Sequence, residues 1–232
     1  VKADGDYRLN VEGLIAAGQK PETKIVFICS PNNPTATSFD AGDIQAVIDG
    51  CAGHAVVVLD ETYIEMAEAQ SLTKKIEEHP HLIVLRTLSK SYSMAGLRMG
   101  ALISGDTDFI ELIRTKALRV YPLPVPVVRA VLAAFDGPIH EQGATHIETL
   151  LGERARLEAA FGASDKVVHV FPSDANFLFV EFKDPAAYMQ ACAEQDIILR
   201  DFSADPATQN CIRITVGMPE QNDLLIEILD IL

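Results

Sequence analysis

A lysine, a carboxylate, a phenol and an amide each follow an apolar run of the chain, at the point where that run ends. These residues are Lys90, Asp60, Tyr63 and Asn33. A lysine amine can form a Schiff base with a carbonyl compound, and a nearby carboxylate can hold a proton where the reaction needs positive charge. The four residue types therefore suggest covalent carbonyl chemistry on a lysine.

The apolar runs that precede these residues predict buried strands. They cover residues 25–29, 55–59 and 82–85. A fourth run at 99–104 is predicted to be a further strand of the same sheet. Residues 39–53 have apolar positions at helical spacing, so the order strand, helix, strand predicts an α/β sheet. Ligands of open α/β sheets bind beyond the carboxyl ends of the strands. We therefore expect the polar residues after the runs to share one site.

Three closely spaced prolines, Pro122, Pro124 and Pro126, predict a domain junction. The sequence thus predicts a first domain over residues 1–122 and a second part, made of linking helices and a smaller α+β domain, over 123–232. The predicted elements of the second part are helices at 127–135, 141–161 and 185–194, strands at 167–171, 177–182 and 212–216, and a terminal helix from Pro219.

Composition narrows the class of function. The chain has 33 acidic and 19 basic residues and a formal net charge of −14, which opposes binding to nucleic acid or to an anionic membrane surface. The four cysteines lie far apart and form no C-x-x-C pair, so we expect free thiols and no metal site. No apolar run is long enough to span a membrane, and a cytoplasmic location is expected.

The order of these residues resembles the large domain of the fold-type I aminotransferases that use pyridoxal phosphate (PLP). The matching positions are Asn33 after the first strand, Asp60 and Tyr63 after the second, and Lys90 and Arg98 after the third. The resemblance implies an α/β PLP-dependent transferase fold, with a mostly parallel sheet in a partial large domain. It also implies a chain that lacks the N-terminal segment of the family.

The same resemblance implies a role for each matching residue. Lys90 would carry the cofactor and act as the catalytic base and acid, and Asp60 would keep the pyridine nitrogen protonated. Asn33 and Tyr63 fall on the positions that contact the phenolic oxygen of the ring. The positions that hold the cofactor's phosphate correspond to Thr87, Ser89 and Arg98. Taken alone, each of these segments also has a purely structural interpretation as a turn, a helix cap or a solvated loop.

Two arginines in the second part are candidates for substrate binding. Arg213 lies inside an otherwise apolar strand, where a charge is costly unless an anion pairs with it; an internal salt bridge is the alternative. The family places the arginine that binds the substrate carboxylate in this segment. Arg200 matches the phosphate-binding arginine of the branch that acts on histidinol phosphate. Asn176 and Tyr121 fall near the site by the same resemblance, although either could serve a turn or packing.

The resemblance implies transfer of an amino group between L-histidinol phosphate and 2-oxoglutarate, with glutamate as the other amino acid, in a homodimer. One departure is Ala36, which stands where the family has glycine and which tolerates a positive φ poorly. Two alternatives stay open. One is another amino-acid aminotransferase or a PLP decarboxylase, and the other is a silent PLP-binding module.

Overall fold

The computed structural model describes residues 7–119 and 122–232. Two compact units divide the chain. The first comprises the described residues up to Pro31 together with Ser38–Thr145, and the second comprises Asn32–Thr37 together with His146–Leu232. Residue 122, the predicted end of the first domain, thus falls in the sequence range of the first unit.

The first unit contains a four-stranded sheet in the order β1-β2-β3-β4. The three strands β1, β2 and β3 are parallel, and β4 pairs with β3 in the antiparallel sense. This arrangement confirms the predicted α/β class with a mostly parallel sheet. The strands are β1 (Ile25–Cys29), β2 (Val56–Asp60), β3 (Leu82–Thr87) and β4 (Gly100–Ser104).

Helices α1 and α2 cover one face of this sheet. Val26, Ile28, Val57, Leu59 and Val84 alternate along the strands and join the buried cluster that the two helices complete. The side chains of Asn10 and Asp40 accept backbone hydrogen bonds at the N-termini of α1 and α2. The helices of this unit are α1 (Val11–Gly18), α2 (Ala41–Cys51), α3 (Thr107–Leu112), which a π-helical turn (Ile113–Ala117) extends, and α4 (Val125–Asp136).

The second unit contains an antiparallel sheet in the order β5-β6-β8-β7. Its core joins Leu178, Val180 and Phe182 of β6 to residues of the three helices of the unit. The elements are α5 (Ile139–Ala163), whose first turns precede the unit, β5 (Val167–Phe171), β6 (Phe177–Phe182), α6 (Pro185–Ala193), β7 (Arg200–Asp201), β8 (Cys211–Thr215) and α7 (Pro219–Ile231). This is the α+β arrangement that the sequence predicted.

Within the described part of the chain, no helix is both long and apolar enough to cross a membrane. Within residues 7–119 and 122–232, histidines, cysteines and acidic residues form no cluster that could hold a metal ion. The four cysteines are free thiols.

Candidate active site

The parallel strands of the first unit bring the predicted cofactor residues to one edge of the sheet. Asp60 is the last residue of β2, and its Cα is in register with that of Leu85 in β3. Lys90 lies in the loop that follows β3, three residues after Thr87. Because β2 and β3 run in the same direction, both residues lie at the carboxyl edge, where ligands of such sheets bind.

Lys90 lies over an aromatic ring. Its Nζ is 5.4 Å from the centroid of the Tyr63 ring, which is within the range of a cation–π contact. Tyr63 is only 4% exposed and directly precedes a short 3₁₀ turn, Ile64–Met66. Lys90 itself is exposed. The amine is thus accessible to a ligand and is held beside a fixed phenol.

The carboxylate of Asp60 is oriented by its neighbour Thr62. The Oδ1 atom of Asp60 accepts a hydrogen bond from the Thr62 backbone N at 3.0 Å and a second one from the Thr62 hydroxyl. Asp60 is half-buried at the strand end. A carboxylate held in this way can serve as the partner of a protonated ring nitrogen.

Two hydroxyl groups and a guanidinium lie on the loop that follows β3. Thr87 Oγ1 is 2.8 Å from Ser89 Oγ, and the backbone N of Ser89 donates to Thr87 Oγ1 at 3.1 Å. The Leu88 backbone N donates to the carbonyl of Met99, which ties the loop to the residue that follows Arg98. Hydroxyl and guanidinium groups are the donors that a phosphate monoester needs. The donor types between β3 and β4 are therefore the ones that the phosphate of the predicted cofactor would need.

Arg98 has an uncommon backbone conformation. It lies in the left-handed region, with φ 55° and ψ 40°, at the end of the 3₁₀ turn Ala95–Leu97. Its side chain is exposed and donates to the Ala95 carbonyl at 3.1 Å. A non-glycine residue in this region is strained, and such strain is frequent at binding sites.

A partly buried ionic cluster, which was not predicted from the sequence, involves residues adjacent to Asp60 and Lys90. Arg86, in β3, pairs with Glu61 and Glu65, while Ser71 and Ser91 complete the cluster through hydrogen bonds. Glu61 is 2% exposed. Two sequence features could have indicated the cluster: Glu61 directly follows Asp60, and Arg86 directly follows the apolar run 82–85.

In the second unit, the two predicted substrate arginines lie opposite each other on paired strands. Arg200 of β7 and Arg213 of β8 are Cα partners in the antiparallel register. The Arg213 guanidinium is 5.2 Å from the ring centroid of Phe177 and 5.8 Å from that of Phe202, and Arg200 also lies over Phe202. Like charges at directly opposed positions repel. An anion bound between them would remove this repulsion.

The two arginines line a cavity of about 510 Å³ together with Ile198, Thr215 and Gly217, among others. Among the residues that the structure describes, Arg213 forms no ion pair with a carboxylate. This weakens the alternative in which Arg213 serves an internal salt bridge. The lining contains two guanidinium groups and one carboxylate, that of Asp196, so its net positive charge favours a small anionic ligand.

Asn33 also belongs to the second unit, where it contacts Arg213. The Nη1 atom of Arg213 donates to the amide oxygen of Asn33 at 2.8 Å. The segment 32–37 is held by the loop that precedes β6, because the backbone N of Asp174 donates to the Ala36 carbonyl at 2.8 Å. Ala36 is fully buried and has a φ of 65°, so the left-handed turn forms although alanine replaces glycine.

The structure therefore groups the predicted residues in two sets. The first unit holds Asp60, Tyr63, Thr87, Ser89, Lys90 and Arg98, and the second holds Asn33, Asn176, Arg200 and Arg213. Asn176 is half-buried, and its backbone carbonyl accepts from Val216 at 3.0 Å, directly before β6. Tyr121 lies outside the described residues. The ligand roles of all these residues remain predictions.

The family model and the curated relatives that match this chain indicate the same family. The family model described as aminotransferase class I and II matches residues 1–229. A histidinol-phosphate aminotransferase of Xylella fastidiosa (strain 9a5c) is 35% identical over 223 residues, which are 96% of this chain and 60% of that protein. Histidinol-phosphate aminotransferase 1 of Pasteurella multocida (strain Pm70) is 37% identical over 98% of this chain and 64% of its own length. The chain thus spans less than two thirds of these relatives.

Solved structures share the fold. The histidinol-phosphate aminotransferase of Sinorhizobium meliloti, solved in complex with pyridoxal-5'-phosphate, has a TM-score of 0.74 and 26% identity, and the match covers 99% of this chain and 64% of that one. The enzyme of the same name from Clostridium acetobutylicum has a TM-score of 0.86 at 18% identity, over 97% of this chain and 68% of that one. At this lower identity the likeness concerns the fold alone.

Proposed function

Because the chain belongs to the aminotransferase class I and II family, we propose that it forms part of an enzyme that transfers amino groups with pyridoxal phosphate as cofactor. The observation that carries this proposal is the position of Lys90, whose Nζ lies 5.4 Å from the ring centroid of Tyr63, on the same sheet edge as Asp60. A lysine, a phenol and a carboxylate at one edge are the set that the cofactor requires.

Each part of the cofactor has a corresponding group in the chain. Asp60 would hold the pyridine nitrogen, and Tyr63 with Asn33 would donate to the phenolic oxygen. The hydroxyl groups of Thr87 and Ser89 and the guanidinium of Arg98 would hold the phosphate. When bound, pyridoxal phosphate withdraws electrons from the Cα atom of an amino substrate. The protein's contribution is to bind and orient both molecules.

Lys90 is the residue that we assign to proton transfer. Its amine would take the proton from the substrate's Cα as general base and then, as general acid, deliver it to the C4′ atom of the cofactor. Because Lys90 is exposed and lies on a loop after β3, its side chain can move over the short distance that such transfer needs. Tyr63, which is buried, cannot follow it and keeps its position.

The substrates that we propose are L-histidinol phosphate and the pair glutamate and 2-oxoglutarate. The names of the curated relatives support this choice, and so does the cross-strand pair Arg200 and Arg213. Two guanidinium groups in one cavity can bind a phosphate, or the two carboxylates of glutamate. We assign the phosphate of histidinol phosphate to Arg200 and the α-carboxylate of glutamate to Arg213.

The test follows the two half-reactions separately. The protein is mixed with pyridoxal phosphate and then with either histidinol phosphate or glutamate, and the oxo product and any carbon dioxide are quantified in a single turnover. Arg200→Ala should weaken binding of histidinol phosphate by about 2–4 kcal/mol, because a charge-assisted contact is lost. Arg213→Ala should chiefly slow the glutamate half-reaction.

The matched control is Lys183→Ala, which removes a positive charge from an exposed position of the same unit. It should leave both half-reactions unchanged. Equal losses for both substrates in both arginine variants would contradict the division of labour. Release of carbon dioxide without formation of an oxo product would show that the protein catalyses decarboxylation and not amino transfer.

A further inference from the structure

The carboxylate of Glu65 contacts both ends of the segment that carries the cofactor lysine. Its Oε1 atom accepts a hydrogen bond from Arg86 Nη2, in an ion pair, and its Oε2 atom accepts one from the hydroxyl of Ser91 at 2.9 Å. Arg86 lies near the end of β3, and Ser91 directly follows Lys90. One side chain thus bridges the start and the end of segment 86–91.

The Arg86 end of this bridge is anchored a second time. Arg86 Nη1 lies 3.4 Å from Glu61 Oε2 and 3.2 Å from the hydroxyl of Ser71, while Glu61 also accepts from the backbone N of Leu72 at 2.7 Å. Glu61 is almost fully buried. Losing the ion pair with Arg86 would leave the buried carboxylate of Glu61 without its charged partner, which disfavours separation of the two side chains. Arg86 is therefore a fixed point for Glu65.

The Ser91 end is the part that needs this support. Residues 88–94 form bends and turns without a helix or a strand. Backbone hydrogen bonds from Ser93 to the Lys90 carbonyl and from Met94 to the Leu88 carbonyl stay within the loop. Such bonds fix the shape of the loop, but they do not set its position relative to the turn that carries Tyr63. The Glu65–Ser91 hydrogen bond connects these two segments.

Tyr63 and Glu65 belong to the same short turn. Tyr63 precedes the 3₁₀ turn Ile64–Met66, and Glu65 is its middle residue. The turn therefore presents an aromatic ring to the Lys90 ammonium and a carboxylate to the next residue, Ser91. We infer that Glu65 is a positioning residue for Lys90, which acts by holding Ser91 against the turn so that the lysine amine stays over Tyr63. The inference rests on the proposed function in its assignment of Lys90.

The first test needs no cofactor. Amide hydrogen exchange is measured over residues 88–94 in the wild-type chain, in Ser91→Ala and in Glu65→Gln, with Glu68→Gln as the matched control at an exposed position. We expect exchange in this segment to rise by about tenfold in Ser91→Ala, the factor that corresponds to loss of one hydrogen bond to a charged group. Glu68→Gln should match the wild type. Unchanged exchange in both Ser91→Ala and Glu65→Gln would overturn the inference.

The second test measures the lysine itself. The Lys90 amine condenses with the aldehyde of added pyridoxal phosphate with loss of water, and borohydride reduces the C=N bond by adding hydride to the carbon. Label on Lys90 is then divided by label on Lys74 in the same sample. This ratio should fall by about tenfold in Ser91→Ala, and Ser91→Thr, which keeps the hydroxyl, should recover it.

The two readouts separate the inference from the proposed function. If the wild-type chain takes up label at other lysines and not at Lys90, the proposed function fails, and hydrogen exchange still decides whether Glu65 holds the loop. If the wild type is labelled at Lys90 and the ratio is the same in Ser91→Ala, the positioning role is overturned while the proposed function stands. A ratio that Ser91→Thr does not recover would also contradict a role for the hydroxyl.

Discussion

The two sheets of the molecule differ in how their faces are covered. In the second unit, the central strand β6 is buried on both faces, by helices on one side and by aromatic residues such as Phe171 on the other. In the first unit, β1 buries Val26 and Ile28 under helices, but Ile25 is 51% and Phe27 is 67% exposed. In the first unit the same face is buried at Val58 and Ile83, so the exposed apolar side chains Ile25 and Phe27 are confined to the edge strand β1.

The two units also differ in how their proposed site residues are positioned. The first unit carries the proposed cofactor residues other than Asn33 at the ends of β2 and β3 and on the segments that follow them, and a partly buried ionic cluster contacts these segments. The second unit carries its arginines on the strands themselves, where the ladder between β7 and β8 sets their spacing. Groups on strands are positioned by the sheet, while groups on loops require side-chain contacts.

The largest expected effect is a difference in stability between a buried position of β6 and an exposed position of β1. Phe182 is buried, stacks on Tyr188 at 4.7 Å and meets Phe161 edge to face. Phe182→Ala should lower the free energy of unfolding by about 3–5 kcal/mol, because it removes buried area and leaves a cavity. Phe27→Ala, at an exposed position, should change it by less than about 0.5 kcal/mol. Urea unfolding of both variants measures this, and equal losses would show that the face carrying Phe27 is covered.

A smaller effect concerns the covered face of the first unit. A Cβ atom at Gly18 would lie 2.6 Å from Cys51 Sγ and 3.2 Å from Val26 Cγ2. Gly18→Ala should therefore destabilise the chain by about 1–3 kcal/mol through overpacking. Gly152→Ala, in α5, meets nothing within 4 Å and should stabilise it by about 0.5–1 kcal/mol through helix propensity. Thermal unfolding of the pair checks this, and a stabilised Gly18→Ala variant would show that α1 does not pack closely on α2.

The smallest effect concerns two carboxylates on α5 whose pKa values move in opposite directions. Hydrogen bonds from Arg156 and then Asn222 lower the pKa of Glu153 below its ordinary value of 4.5. Burial raises the pKa of Glu158, although Arg154 partly opposes the rise. The ionised Glu153 thus stabilises the fold at pH values above its unfolded-state pKa. This stabilisation is lost as the pH falls through its lowered folded-state pKa. Glu158 has the opposite effect, since stability decreases as the pH rises from 4.5 through its raised pKa.

The two glutamine variants should show this as opposite signs at neutral pH. Glu153→Gln should be less stable than the wild type at pH 7, and Glu158→Gln should be more stable. The Glu158 difference should disappear as the pH falls to about 4.5, the unfolded-state pKa, whereas the Glu153 difference should be lost only at lower pH, as the pH falls through the lowered folded-state pKa. Urea unfolding between pH 3 and pH 7 measures the differences. Differences that do not depend on pH would show that packing, and not ionisation, sets the effect.

Much of the fold could be predicted from local pattern. The apolar run 82–85 lies in β3 and the run 99–104 contains β4, because short apolar runs of strand length are typical of buried strands. Helix α1 was not predicted, although Asn10 caps its start and Val11, Leu14 and Ile15 pack against the core. Strand β7 has two residues, which is too short for any period to be detected.

The candidate site also contains residues that could be predicted from the sequence and contacts that could not. The residues after the strands could be identified because strand ends have a sequence signal, and their order resembles that of a known family. The contacts of Arg86 could not be predicted, because Glu61 and Glu65 lie 25 and 21 residues away in sequence and no local pattern specifies such a pair. The opposition of Arg200 and Arg213 likewise depends on the register of β7 and β8, which only the folded sheet determines.

The most direct test of the central claim, that Lys90 carries the cofactor, is peptide mapping after reduction. The wild-type chain and a Lys90→Arg variant are incubated with pyridoxal phosphate, treated with borohydride, digested and analysed by mass spectrometry. We expect a pyridoxyl group on the wild-type peptide that contains Lys90, and no label at that position in Lys90→Arg. A label that appears instead on Lys74 or Lys116, and that persists in the variant, would contradict it.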